Sequence, residues 1–152
     1  MAYDPEFVEF ETNGNARIAW DCRAIEYELT LDSPDSARTS LCHCTNCKKA
    51  FGGAFGLTAK VSKDAIRYTK GKTQEHAADN GSGTILHREF CDICGSFILE
   101  YGEPEKNISR YVCVASLDDP EALPPKGEFF CKSRVSWMSE IPNVFHKKEI
   151  NV

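Results

Sequence analysis

Cys42-His43-Cys44-Thr45-Asn46-Cys47 gathers three thiols within one short turn of chain. Thiolates bind zinc strongly, and Zn2+ prefers four ligands in a tetrahedron. Ligands that share a tight turn are already close together, so little chain entropy is lost when they converge on an ion. Structural zinc sites close with a fourth protein ligand, whereas catalytic sites keep that corner for water or substrate. Three local sulfurs with no neighbouring fourth point to a metal centre with an open position, with Cys42, Cys44 and Cys47 as both metal ligands and catalytic groups. His43 lies between two ligands, so its side chain is expected to face away from the metal. It is a candidate for proton or substrate handling, weighed against a plain packed histidine.

Outward from this turn, Cys91 and Cys94 form a C-x-x-C, and Cys22, Cys113 and Cys131 stand alone among eight cysteines. Redox context decides how such a set is read. Met1-Ala2-Tyr3-Asp4-Pro5-Glu6 shows no basic start followed by an apolar run, so no secretory signal is expected. No stretch reaches the roughly 20 apolar residues of a membrane span. The expected location is the cytoplasm, with the nucleus left open, and in either reducing place clustered cysteines read as metal ligands. Cys113 and Cys131, isolated in apolar segments, read as small core residues. Eighteen basic against 23 acidic side chains give a net charge of −5, which argues against non-specific nucleic-acid binding.

The 152 residues, 41% hydrophobic and 27% charged, suit one domain spanning 1–152 with a real core. Ala24–Leu29 alternates apolar and polar residues, the period of a half-buried strand. Strands are also expected at Gly83–Phe90, Ser96–Tyr101, Ser109–Ala115 and Phe129–Ser133, with a hairpin around Cys91 and Cys94. Gly71–Gly83 reads as a turn-rich surface excursion, and Asp118–Gly127, with three prolines, as a loop. Short helical turns are expected after Cys47 and near Trp137. The fold class is mainly β, with short strands in more than one sheet.

Four segments, in order, resemble the glutathione-dependent formaldehyde-activating enzyme family, whose domain is shared with centromere protein V. Cys42–Gly52 resembles its C-H-C-x-x-C-[RK] segment, and Phe90-Cys91-Asp92-Ile93-Cys94-Gly95-Ser96 its F-C-x-x-C-G-[ST]. Val114-Ala115-Ser116-Leu117-Asp118-Asp119-Pro120 resembles its strand ending in L-D-D-P, and Ser133-Arg134-Val135-Ser136-Trp137 its late Arg-x-x-Trp element. The resemblance implies an Mss4-like fold of bent antiparallel β-sheets pinned by zinc, with two metal sites. One would use Cys42, Cys44 and Cys47; the other would use Cys22, Cys91 and Cys94. Trp20 stands where the family carries a further cysteine, so the second site would need a new fourth ligand, such as His87, Cys113, Cys131 or water.

The implied activity is that of a carbon–sulfur lyase acting on a glutathione–aldehyde adduct such as S-(hydroxymethyl)glutathione. Lys48, Arg134 and Trp137 are the candidates for holding such a small-molecule substrate, with Phe51, Gly53 and Phe55 walling its pocket. Surface charge and plain core are the ordinary alternatives for such Lys and Phe residues. Two other functions are compatible with the same scaffold. One is a zinc hydrolase, imine-processing enzyme or cyclase of specialised metabolism; the other is a non-enzymatic zinc interaction module. The sequence leaves the direction of reaction and homo-oligomer formation open.

Overall fold

The computed structural model describes residues 15–19, as backbone, and 22–149; Trp20 lies outside the described residues. Eleven strands and one α-helix are found among them. β1 (Asn15–Ala19), β2 (Glu26–Thr30) and β5 (Ile66–Lys70) form a small antiparallel sheet in the order β1-β2-β5. The larger sheet has eight strands. β3 (Arg38–Cys42), β4 (Gly56–Ser62), β9 (Ser109–Cys113), β8 (Phe97–Gly102), β7 (Ile85–Phe90) and β6 (Gln74–Asp79) run antiparallel to their neighbours. β10 (Gly127–Phe129) lies parallel to both β3 and β11 (Phe145–His146) and completes the other edge. This is the mainly β arrangement expected of an Mss4-like fold. No helix among the described residues is long and apolar enough to cross a membrane.

The core fills the space between the two sheets. Alternation along β2 sends Tyr27 and Leu29, in step with Ile25, to one buried face. They meet Ala59 and Val61 of β4, Ile98, Leu99 and Tyr101 of β8, and Val112 of β9. Each such side chain contributes about 1.5–3 kcal/mol when fully buried. The Tyr27 hydroxyl also needs a partner inside the core, and Ser116 Oγ supplies it at 2.6 Å.

One irregularity decides what the other face of the large sheet carries. Glu89 pairs with Leu99, yet Phe90 pairs with Phe97, so Ile98 is an extra residue in β8. At such a bulge two residues oppose one. Ile98 and Leu99 are both buried in the core, which leaves Phe97 and Glu100 together on the opposite face.

Three expectations are corrected. The Gly71–Gly83 segment contains β6, an exposed edge strand paired along its length with β7. Its polar composition reflects an edge with both faces wet. The strand expected at Phe129–Ser133 stops at Phe129, because Phe130 adopts a left-handed conformation (φ 54°) and Cys131–Ser133 make a 3-10 turn. The strand expected to reach Ala115 stops at Cys113, and Val114–Ser116 also turn.

Candidate metal centre

β3 and β4 bring the first thiol into place. Cys42, the last residue of β3, pairs with Gly56 at the start of β4. The chain then turns at Cys44, which is extended (φ −64°, ψ 157°) and caps the helix α1 (Thr45–Phe51). Cys44 Sγ accepts from the Cys47 amide at 3.3 Å. Gly52 ends the helix in a left-handed conformation (φ 64°), which glycine adopts without the penalty a side chain brings. Helix and sheet approach closely. A Cβ on Gly56 would stand 2.7 Å from the Phe51 ring and 3.1 Å from Cys47 Cβ, so any side chain there would push Phe51 or α1 out of place. Phe51 in turn packs edge-on against Phe97, with ring centroids 4.7 Å apart.

The sulfurs of Cys42, Cys44 and Cys47 all lie within 4.8 Å of one another, and all three cysteines are free. Sulfurs on a tetrahedral ion at bond lengths of about 2.3 Å stand about 3.8 Å apart, so this triad fits such a centre. The electrostatics agree. Cys44 is pulled down to about 2 because its sulfur accepts from the Cys42 and Cys47 thiols. Its neighbours move the other way: Cys42 is pushed up to about 11 by the bond to Cys44, and Cys47 is pushed up through its bonds to Cys42 and Cys44. Three sulfurs this close ionise together only around a cation.

A second triad lies at the end of the core. Cys22 Sγ is 3.6 Å from Cys91 Sγ and 3.4 Å from Cys94 Sγ. These are ligand spacings, far longer than the ~2.05 Å of a disulfide. The hairpin between β7 and β8 is closed by the Gly95 amide on Cys91 O and the Cys91 amide on Ser96 O. Cys94 is held down to about 7, chiefly by the Ser96 hydroxyl. This cluster ties the segment entering β2 to the large sheet.

The side chains suggested as its fourth ligand are engaged elsewhere. His87 places Nδ1 on Glu75 at 2.9 Å and Nε2 on Glu103 at 2.6 Å. Buried Cys113 is pushed up to about 11 by desolvation, and Cys131 donates to Glu128 O. Among the described residues, neither triad has a fourth Cys, His, Asp or Glu.

His43 turns away from the thiols, as alternation from Cys42 requires. Its partner is Glu128 of β10, which pairs with Leu41 on the side of the sheet that His43 enters. Both side chains are fully buried, with His43 Nε2 2.6 Å from Glu128 Oε1. Arg134 grips the same carboxylate through Nε at 2.9 Å and Nη2 at 3.0 Å. The Ile141 amide, at 3.3 Å, and His146 Nε2, at 3.0 Å, reach Oε2. Burial works to raise the Glu128 carboxyl; the bonds from Arg134, His43 and Ile141 outweigh it and hold the group below its usual range. A carboxylate that only accepts needs the proton on Nε2 of His43, and His43 Nδ1 is buried without a partner.

The suggested substrate-holding residues separate into two groups. Lys48 and Phe51 sit on α1 beside the thiols, but Lys48 Nζ donates to Ser133 O at 2.7 Å. Phe55 meets the His43 ring edge-on, and the Gly53 amide closes on Lys48 O. Arg134 spends its guanidinium on Glu128, and Trp137 is 77% exposed on a surface turn. Glu128, Glu100 and Arg88 were not singled out from the sequence. A lone acid in each of two apolar runs, Gly127–Phe130 and Phe97–Tyr101, was the available signal.

The family model described as "Glutathione-dependent formaldehyde-activating enzyme" matches residues 16–133. No curated protein matches the chain. Among solved structures, the crystal structure of a Rhodobacter sphaeroides protein is similar in fold. The TM-score is 0.51 at 20% sequence identity, over 66% of this chain and 86% of that one.

Proposed function

Because the chain belongs to the glutathione-dependent formaldehyde-activating enzyme family, we propose that it is a zinc-dependent carbon–sulfur lyase that makes or cleaves S-(hydroxymethyl)glutathione. The observation that carries this reading is the Cys42–Cys44–Cys47 triad. One turn supplies three sulfurs, and no fourth Cys, His, Asp or Glu joins them among the described residues. Soft thiolate donors favour zinc among the common ions, and the sulfur spacing fits it. Zinc held there would lower the pKa of an incoming thiol and polarise a carbonyl oxygen.

The chain's own residues orient and enclose the reactants. Phe51 and Phe97 form an apolar wall beside the thiols. Packing of α1 over Gly56 fixes Cys47, and the Glu128 clamp on His43 fixes the chain between Cys42 and Cys44. Such fixing reduces the entropy lost on reaching the reactive geometry.

The test is the rate of S-(hydroxymethyl)glutathione formation from glutathione and formaldehyde with zinc-loaded protein. Acceleration over the spontaneous rate, abolished in Cys44→Ser, supports the reading; no acceleration ends it. A second reading, the same scaffold acting on a different carbonyl or imine, is favoured by Arg134. Its commitment to Glu128 removes the cation best placed by sequence to hold a glutathione carboxylate. Acceleration with other thiols or with imines, but not with glutathione, would select it.

A further inference from the structure

The face of the large sheet that carries Cys42 also carries a carboxyl group. Registers place Cys42 beside Gly56, Thr58 beside Cys113, and Tyr111 beside both Lys60 and Glu100. Glu100 pairs with Arg88 in turn. Through the bulge at Ile98, Glu100 shares this face with Phe97, the ring on which Phe51 rests. The helix that is capped by Cys44 and carries Cys47 therefore rests, through Phe51, on the strand that carries Glu100.

Its charge bears on both neighbouring sulfurs: Glu100 and Cys44 oppose each other electrostatically, and so do Glu100 and Cys113. The side chain is 13% exposed, and Arg88 Nε donates to Oε2 at 3.0 Å. Burial raises the carboxyl, Arg88 pulls it down, and the balance lies above the usual carboxylate range. A carboxyl raised in this direction is better matched to taking up and returning a proton than a fully solvated one.

We infer that Glu100 is the proton-handling residue of the site, touching the thiol and carbonyl of the substrate from the sheet side. This rests on the lyase reading above. In the forward direction the glutathione S–H bond breaks and its proton passes to the Glu100 carboxylate. The sulfur electron pair forms the S–C bond to formaldehyde, and the C=O π pair moves to oxygen. That oxygen takes the proton back from Glu100, giving S–CH2–OH and restoring the carboxylate. Cleavage runs the same steps in reverse. Arg88 holds the carboxyl in place through its 3.0 Å bond, and the Phe51–Phe97 wall limits competing water.

The experiment compares wild-type zinc protein with Glu100→Gln. The expected result is a kcat lower by about 10²-fold or more, the usual size of a general acid–base contribution, with KM for glutathione and zinc content unchanged. Should Glu100→Gln fail to fold because Arg88 loses its partner, Arg88→Gln/Glu100→Gln removes both charges and takes its place with the same expected loss of kcat. Carbon-13 NMR of labelled glutamate carboxyls gives a readout independent of turnover. The resonance missing from the variant should shift when S-methylglutathione saturates the wild-type protein. Unchanged kcat in an active wild-type background, or a Glu100 resonance indifferent to saturating S-methylglutathione, overturns the inference and leaves the lyase reading standing. A wild-type protein that does not accelerate the reaction defeats both together.

Discussion

Replacing Glu128 by alanine should be among the most damaging single changes in this protein. The carboxylate is fully buried and receives Arg134 through two bonds, His43 through one of 2.6 Å, and the Ile141 amide. Truncation leaves a buried imidazole and a mostly buried guanidinium (19% exposed) without their acceptor. Breaking a buried ion pair by removing one partner costs about 3–5 kcal/mol. Partial access of water to Arg134 places the expected loss at the lower end, about 3 kcal/mol. In a chain of this length 1 kcal/mol moves Tm by about 2–4 °C, so a drop on the order of 10 °C follows. The assay is urea and thermal unfolding followed by circular dichroism, with zinc held at saturation because bound metal adds its own stabilisation. Arg134→Leu should cost less, since the carboxylate it frees still accepts from His43 and Ile141. A loss below about 1 kcal/mol for Glu128→Ala would place it among ordinary surface changes and refute the clamp.

Other outcomes follow from the neighbouring interactions. Glu128 is held below its unfolded value, so its contribution is present above about pH 4.3 and is lost as pH falls through its depressed folded value; acid unfolding of Glu128→Gln should lack this component. His87, raised by Glu75 and then Glu103, has the opposite sign. Its contribution is complete below its unfolded value of about 6.5 and fades as pH rises through the higher folded value, so β6 amides should exchange faster at pH 8.5 than at pH 6 after correction for intrinsic rates. Gly56→Ala should cost about 1–3 kcal/mol by overpacking against Phe51 and weaken zinc retention in a chelator competition; unchanged retention would show that α1 adapts freely. Chelation of the wild-type protein should lower Tm, and the drop should be smaller in Cys22→Ser, which has already lost the cluster tying the segment entering β2 to the large sheet.

Most of the site's chemistry is local in sequence, which is why it could be read there. Cys42, Cys44 and Cys47 sit on one turn, and a C-x-x-C announces a hairpin whatever surrounds it. Strand β2 declared itself because period-two burial is written directly into Ile25, Tyr27 and Leu29. Glu128 and Glu100 escaped because their meaning comes from registers between distant strands. Glu128 matters only once β10 lies parallel to β3, and Glu100 shares a sheet face with Phe97 only because an extra residue, Ile98, shifts the phase of β8. The misjudged Gly71–Gly83 segment has a related cause: a wet edge strand carries the composition of a loop. Arg134, a candidate for holding substrate, also grips Glu128, and nothing in a linear motif says that a guanidinium will meet a buried acid six residues earlier.

The most direct test is a crystal structure of the zinc-loaded protein with anomalous data at the zinc edge. The expected result is a zinc ion bound by the Sγ atoms of Cys42, Cys44 and Cys47, its fourth ligand a water or an added thiol. A fourth protein side chain completing that site, or three sulfurs binding no metal at saturating zinc, would contradict the account.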